Sequence, residues 1–227
     1  MSNILYEIKQ REITRLCHFT KSNNLPHILK NESGILANTF LDDQKEILKR
    51  NDINRYDGKE DFVCTSVQYP NYWYFKKIKD RDPLFKQWVI LFTNPILMNE
   101  SSTLFCHRNA AANRGAFIKS GFNGFEGMFK DSVFGQRLIN RSNRMLPCCP
   151  TDDQAEVLIY NKISRSNINA IAVPNEEQAI KEKTRLSFIS GIPKDINWII
   201  APELFNGNWS AMVRRGEVPR EIRLPRE

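Results

Sequence analysis

The sequence predicts an α+β fold in which short strands and helices are mixed without regular alternation, and three observations carry that prediction. Trp88–Thr93, read WVILFT, is almost wholly apolar, as a strand buried on both faces requires. Arg15–Thr20, Phe62–Val67, Val157–Tyr160 and Ile168–Val173 are further short runs of β-branched and aromatic residues bounded by turn formers. Ser22–Leu29 and Glu176–Arg185 instead read as helices, the first from the recurrence of Leu25, Ile28 and Leu29. A chain of 227 residues, 41% hydrophobic and 26% charged, can bury one substantial core, and a single domain over 1–227 is expected.

Taken in order, Met1–Ile13 reads as a short helix or arm. The strand Arg15–Thr20 alternates, with His18 and Thr20 on one face and Cys17 and Phe19 on the other. Ser22 or Asn23 can cap the helix that follows, and Pro26 is tolerated in its first turn. Strand, turn and helix together deliver His18, Thr20 and Asn24 into one neighbourhood. Asp42–Lys59 is polar and charged and ends in an Asp57-Gly58 turn; Arg50 and Arg55 are its candidate anion binders. After Phe62–Val67, Tyr69-Pro70-Asn71 turns the chain into Tyr72, Trp73, Tyr74 and Phe75. Four consecutive aromatics cannot all face one core, so at least one is expected to line a groove.

Asn94-Pro95 ends the central strand, and Leu104–Cys106 is a short one. His107, Arg108 and Asn109 lead into Ala110–Ala112. Gly115–Gly135 reads as short helices and loops, with Val133–Ile139 helical. Ile196–Ile200 reads as a last strand or buried segment. From Gly207 the chain is rich in Arg and Pro and poor in apolar runs, so 207–227 is expected to be a loosely packed tail.

The net charge is +7, and its placement is more informative than its size. Between Ser101 and Pro150 seven cations (Arg108, Arg114, Lys119, Lys130, Arg137, Arg141 and Arg144) face only Glu126 and Asp131, a net +5. The same segment holds Phe105, Phe117, Phe122, Phe125, Phe129 and Phe134. Cations set among aromatics suit single-stranded nucleic acid, charges on phosphates and rings on unpaired bases. A solvated basic face over an aromatic core has the same composition.

Five cysteines cannot all pair within the chain, which favours a reducing compartment, and with three histidines their spacing matches no usual zinc pattern. No metal is therefore expected. Nor does the sequence contain a secretory start or an apolar span long enough for a bilayer, so a cytoplasmic location without membrane contact is expected. It also lacks the Gly-rich loops that cradle dinucleotides and nucleoside triphosphates, leaving side chains and loop amides to hold any phosphate.

Glu156 stands where the turn-rich stretch LPCCPTDDQA meets the apolar run Val157–Tyr160. A carboxylate there is held by a rigid strand yet faces a loop-built site; it could also be an ordinary polar residue at a strand edge. Cleavage of the glycosidic bond of a nicotinamide dinucleotide develops positive charge on the ribose. A carboxylate stabilises that charge and accepts a proton from the attacking group.

Three segments resemble the DarT family of ADP-ribosyltransferases, toxins of bacterial toxin–antitoxin and phage-defence systems: LCHFTKSNNLPHIL at Leu16–Leu29, LFCHRNAA at Leu104–Ala111, and DQAEVLIYNKI followed by INAIAV from Asp153 to Val173. A weaker fourth is Arg55–Asn71. The resemblance implies an ADP-ribosyltransferase-like mixed fold with a split central β-sheet. It implies transfer of ADP-ribose from NAD+ to a base of single-stranded DNA, and a DarG-type macrodomain antitoxin as partner. Glu156 would be catalytic. His18 and Thr20 would contact NAD+ with Asn24 close by, and Tyr72 or Phe75 would pack beside nicotinamide. Arg55, or failing it Arg50, would be the functional arginine. Arg108, Asn109, Arg114, Lys119, Arg137, Arg141 and Arg144 would face the DNA. Asp61–Ser66 departs from the Tyr-Val-Pro-Phe-Tyr-Phe strand that members of the thymidine-modifying type often carry, which leaves guanine and thymine both open as the target. RNA or protein as substrate, and an inactive single-strand-binding module, are the alternative readings.

Overall fold

The structure, a computed structural model, describes residues 3–30, 32–44, 56–135 and 137–225. Chain order runs α1 (Ile4–Gln10), β1 (Leu16–Lys21), a 3-10 turn (Ser22–Asn24) into α2 (Leu25–Lys30), β2 (Ile35–Leu36) and a second 3-10 segment (Asn38–Gln44). It continues with β3 (Phe62–Val67), α3 (Tyr72–Arg81), β4 (Trp88–Thr93), β5 (Leu104–Cys106), β6 (Ile118–Ser120) and α4 (Gly121–Gly127). Next come β7 (Ser132–Phe134), β8 (Leu138–Asn140), β9 (Glu156–Tyr160), β10 (Lys162–Ile163), β11 (Ile168–Val173) and α5 (Glu176–Ser187). The last elements are β12 (Trp198–Ile200), α6 (Glu203–Asn206), α7 (Asn208–Arg214) and β13 (Ile222–Arg223). Among the described residues no helix is long and apolar enough to cross a membrane.

One large sheet of order β13-β12-β11-β4-β1-β3-β9-β5-β6 forms the frame. β4 is buried at every position and pairs with β1 along the whole of β1, from Leu16↔Thr93 to Lys21↔Trp88. The bond between β1 and β3 is much shorter. Only Leu16↔Val67 and Cys17↔Ser66 are in register, after which the strands part. The sheet is therefore split: β1 leads one half, and β3 with β9, β5 and β6 makes the other. Most of the core packs on this frame, with a small separate cluster of Phe62, Cys106, Ala110 and Leu158 under Phe117 and Ile118.

Among the described residues asparagine caps start three of the helices, Asn3 on α1, Asn71 on α3 and Asn175 on α5. Asn71 Oδ1 accepts the Tyr74 amide of α3 at 3.1 Å, and Asn175 Oδ1 accepts the Gln178 amide of α5 at 2.9 Å. Glu176 and Glu177 then sit in the first turn of α5, where the helix dipole favours negative charge. The aromatic run after Asn71 is helical: Phe75 and Ile78, three apart, turn inward, while Trp73 stays exposed. α3 lies against the α6–α7 junction so closely that a Cβ on Gly207, at φ +79°, would stand 2.3 Å from the Tyr72 ring.

Two expectations are corrected. Val133–Ile139 is the β7–β8 hairpin and not a helix, because Val133 and Ile139 pair on the inward face and Gly135 lies in the turn between the strands. The stretch from Gly207 is not a loose tail. Trp209 and Val213, four apart on α7, are buried, and Trp209 stacks on Tyr69 at 5.2 Å. β13 then adds to β12 at the sheet edge, so the strand at Trp198–Ile200 is not the last one. Two apolar residues per two turns bury a helix without producing the dense run that sequence reading looks for.

Candidate functional site

Glu156 is the first residue of β9 and lies in register with Cys106 of β5. It is 5% exposed, and three donors among the described residues converge on its carboxylate. Asn71 Nδ2 and Asn109 Nδ2 each donate to Oε1 at 3.0 Å, and the Ala110 amide donates to Oε2 at 2.8 Å. An ionised carboxylate accepts only, so three N–H donors on two oxygens suit the charged form and fix its direction. The donors come from opposite sides. Asn71 is the cap of α3, its own amide bonded to Ser66 Oγ at 3.0 Å, whereas Asn109 and Ala110 stand in the turn after β5. Asn109 is itself held by the Ala111 amide on its Oδ1 at 3.1 Å.

The loop before Glu156 is tied down as firmly. Asp153 Oδ2 accepts from Trp73 Nε1 at 3.1 Å and from Ser210 Oγ, joining α3 and α7. Thr151 donates from Oγ1 to the Lys130 carbonyl at 2.6 Å, and Arg214 Nη2 donates to the Thr151 carbonyl at 3.0 Å. Burial pushes the Asp152 carboxyl up to about 6, with the adjacent Asp153 charge acting in the same direction; the Gln154 amide and Arg108 pull it back. Arg108 has its guanidinium carbon 5.4 Å from the Phe117 ring centroid, and its buried Nε has no hydrogen-bond partner among the described residues. Burial also pushes the Cys106 thiol up to about 12, which leaves it no nucleophile. Among the described residues no three His, Cys, Asp or Glu side chains gather as a metal site would need.

His18 sits where the sheet splits. Its Nδ1 lies 2.9 Å from the Cys64 carbonyl oxygen, so Nδ1 donates to it, and in the neutral imidazole Nε2 is then the acceptor. Antiparallel register continued from Cys17↔Ser66 would have paired Phe19 with Cys64. The imidazole thus satisfies a carbonyl that the parting of β1 and β3 releases. Thr20 and Asn24 are both buried, Asn24 Nδ2 donating to Thr20 Oγ1 at 3.0 Å across the β1–α2 corner. Tyr72 is half-buried against Gly207. Phe75 is fully buried among Phe19, Trp88 and Phe205, which corrects the expectation that it could pack beside nicotinamide: its place in α3 points it into the core.

Of the residues expected on DNA, Arg114, Lys119, Arg137 and Arg144 are exposed. Arg141 is otherwise engaged, its two terminal nitrogens donating to the Cys149 and Leu146 carbonyls at 2.7 and 2.8 Å, so it braces the Pro-Cys-Cys-Pro loop. Asn109 serves Glu156 as described. Arg50 and Arg55 lie outside the described residues. Sequence reading missed Asn71, Ala110 and the Trp73–Asp153 tie. For Asn71 a signal existed: an asparagine just before a run with apolar residues three apart marks a helix cap.

Comparison with known proteins shows the family and the fold. The family model described as "ssDNA thymidine ADP-ribosyltransferase, DarT" matches residues 17–205. Among solved structures, Thermosipho africanus DarTG in complex with ADP-ribose aligns over 85% of this chain and 51% of its own, at 17% identity and a TM-score of 0.61. Thermus sp. 2.9 DarT aligns over 86% of this chain, at 14% identity, both in complex with NAD+ (98% of that chain, TM-score 0.57) and with ADP-ribosylated single-stranded DNA (97%, 0.56). The chain thus spans about half of the T. africanus chain and nearly all of the Thermus one. No curated protein sequence matches.

Proposed function

This chain belongs to the DarT family, and from that premise we propose that it transfers ADP-ribose from NAD+ to thymidine in single-stranded DNA, with Glu156 as the catalytic carboxylate. The observation that carries the role of Glu156 is the convergence of Asn71, Asn109 and the Ala110 amide on one buried carboxylate at a strand terminus.

The chemistry follows from what must move. The bond between the ribose carbon and the nicotinamide nitrogen breaks, nicotinamide leaves with the bonding pair, and the ribose carbon becomes electron-poor. A carboxylate held rigidly beside it stabilises that charge, and more strongly for being out of water. Once N1 of thymine is joined to deoxyribose, N3 is its only ring nitrogen that carries a proton. Bond formation from N3 to the ribose carbon must release that proton, and Glu156 is the acceptor. His18, with Nε2 as acceptor, suits a ribose hydroxyl, and the parted strands β1 and β3 supply the opening for NAD+. Arg108, whose buried Nε has no partner among the described residues, suits an anionic oxygen of the DNA strand.

A DarG-type macrodomain that removes ADP-ribose is the partner we propose for the chain, on the family's membership and on its likeness to half of a DarTG chain. Co-expression with such a macrodomain would relieve growth arrest if it serves as the antitoxin.

Mass spectrometry of single-stranded oligonucleotides, each lacking one base, after incubation with NAD+ tests the reaction. An adduct of ADP-ribose on every oligonucleotide that contains thymine, absent with Glu156→Gln, is expected. Adducts that instead follow guanine would replace the base in this reading. No adduct on any DNA by the folded protein would overturn it in favour of RNA, protein or a binding module.

A further inference from the structure

The β7–β8 hairpin presents an apolar pair to solvent. Phe134 and Leu138 are cross-strand partners, 63% and 59% exposed, while Val133 and Ile139 behind them face the protein. Single exposed apolar residues are ordinary, but two large ones set side by side at a hairpin tip mark a surface built to be covered. Their surroundings indicate what covers them. Arg137 lies in the turn of the hairpin, and Lys130 and Arg144 flank it in sequence, all three exposed.

The tip is also fixed relative to Glu156. His107 Nε2 donates to the Phe134 carbonyl oxygen at 3.0 Å, and the His107 ring meets Phe117 edge-on at 5.1 Å. His107 directly follows Cys106, the register partner of Glu156. On the other side of the turn, a Cβ on Gly135 would stand 3.7 Å from Asp152 Oδ2, in the loop that leads to Glu156. The hairpin is therefore bonded to the segment on one flank of the carboxylate and lies close to the loop on the other.

We propose that Phe134, with Leu138 beside it, is a stacking platform for an unpaired nucleobase next to the one that is modified; this rests on the reading of the chain as an enzyme of single-stranded DNA. An aromatic face accepts any base, because every base has a π-face, and the neighbouring cations hold the phosphates on either side of it. Docking the adjacent base at a site tethered to Glu156 sets the target base in position for attack.

The test uses oligonucleotides with one thymine and 2-aminopurine in the position before or after it. Binding to wild-type protein is expected to quench the fluorescence of one of the two, and Phe134→Ala to abolish the quenching. The same substitution is expected to raise KM for DNA about ten-fold or more, with a smaller change in kcat. Phe134→Trp should restore both readouts, and Phe188→Ala, at another highly exposed phenylalanine at the end of α5, should alter neither. Because Phe134 is exposed, its truncation leaves the core intact, and circular dichroism checks this. Unchanged quenching and KM in Phe134→Ala, with DNA still modified, would overturn the platform and leave the enzyme reading standing. Quenching that depends on Phe134 without any adduct would do the reverse.

Discussion

Asn71 and Glu156 are joined by a 3.0 Å hydrogen bond from an amide whose oxygen, at the same time, caps α3. One side chain thereby sets both the start of a helix and the direction of the carboxylate. The two duties can be separated. Asn71→Asp keeps a good cap but removes the donor and sets a second carboxylate against Glu156. We expect transfer to slow by about 100-fold or more and the acid limb of its pH profile to move up. Asn71→Ala should instead lose the cap as well, at about 1 kcal/mol beyond its effect on rate. Rate–pH profiles and urea titrations of both variants read out the difference.

Asp152 gives stability a pH dependence of defined sign. Its folded value of about 6 lies above the ordinary 3.8, so the folded chain holds the proton more tightly than the unfolded one. Stability from this group is complete below about pH 4 and is lost as pH rises through about 6, by at most about 3 kcal/mol. Asp152→Asn should flatten that part of the curve. Thermal melts between pH 4 and 7 of both proteins check it; a wild-type profile that rises across this window in step with that of the variant would contradict the assignment.

The C-terminal residues are predicted to matter for stability out of proportion to their apolar content. Arg15, almost fully buried at the start of β1, gives both terminal nitrogens to Glu221, its Nε to the Gln68 carbonyl at 2.8 Å, and its face to Phe92 at 3.8 Å. Glu221→Ala strands a buried guanidinium without its counter-charge, at a cost of about 3 kcal/mol. Equilibrium unfolding in urea measures this, and a change below about 0.5 kcal/mol would show the pair to be a surface contact in effect.

DNA and NAD+ should respond differently to salt. With Arg114, Lys119, Arg137 and Arg144 exposed, DNA affinity is expected to fall steeply as salt rises, whereas NAD+ affinity changes little. Removing one phosphate-contacting cation, as in Arg137→Gln, should reduce the log–log slope by about 0.7. Titrations at several salt concentrations give both slopes, and equal slopes for the two ligands would remove the basic surface from the account.

Strands whose pattern is set by burial were legible in the sequence: Trp88–Thr93, Phe62–Val67, Leu104–Cys106 and Ile168–Val173 appear with the expected bounds. Glu156 was legible because turn chemistry on one side and β-branched residues on the other mark a strand terminus. What could not be read is which distant groups meet it. Asn71 and Asn109 are 85 and 47 residues away in the chain, and only the pairing of β9 between β3 and β5 brings them together. The β7–β8 hairpin was misread because VFGQRLI has mixed spacing, and the choice between helix and strand rests there on a turn and a tertiary anchor at His107. Arg141 was assigned by charge alone, and charge does not distinguish a phosphate from a pair of loop carbonyls.

The split sheet also constrains how the chain could be cut or rewired. Its two halves are not successive in the chain: the path passes from β1 to β3, back to β4, out to β5, and returns from β9 to β11. Each half is thus interleaved with the other, and no single break separates them: a fragment ending after β9 holds all of β3, β5, β6 and β9 but carries β1 and β4 of the other half with it. Complementation by two fragments would require them to intertwine, and both sides of the cleft should melt in one transition although the β1–β3 ladder holds only two residue pairs.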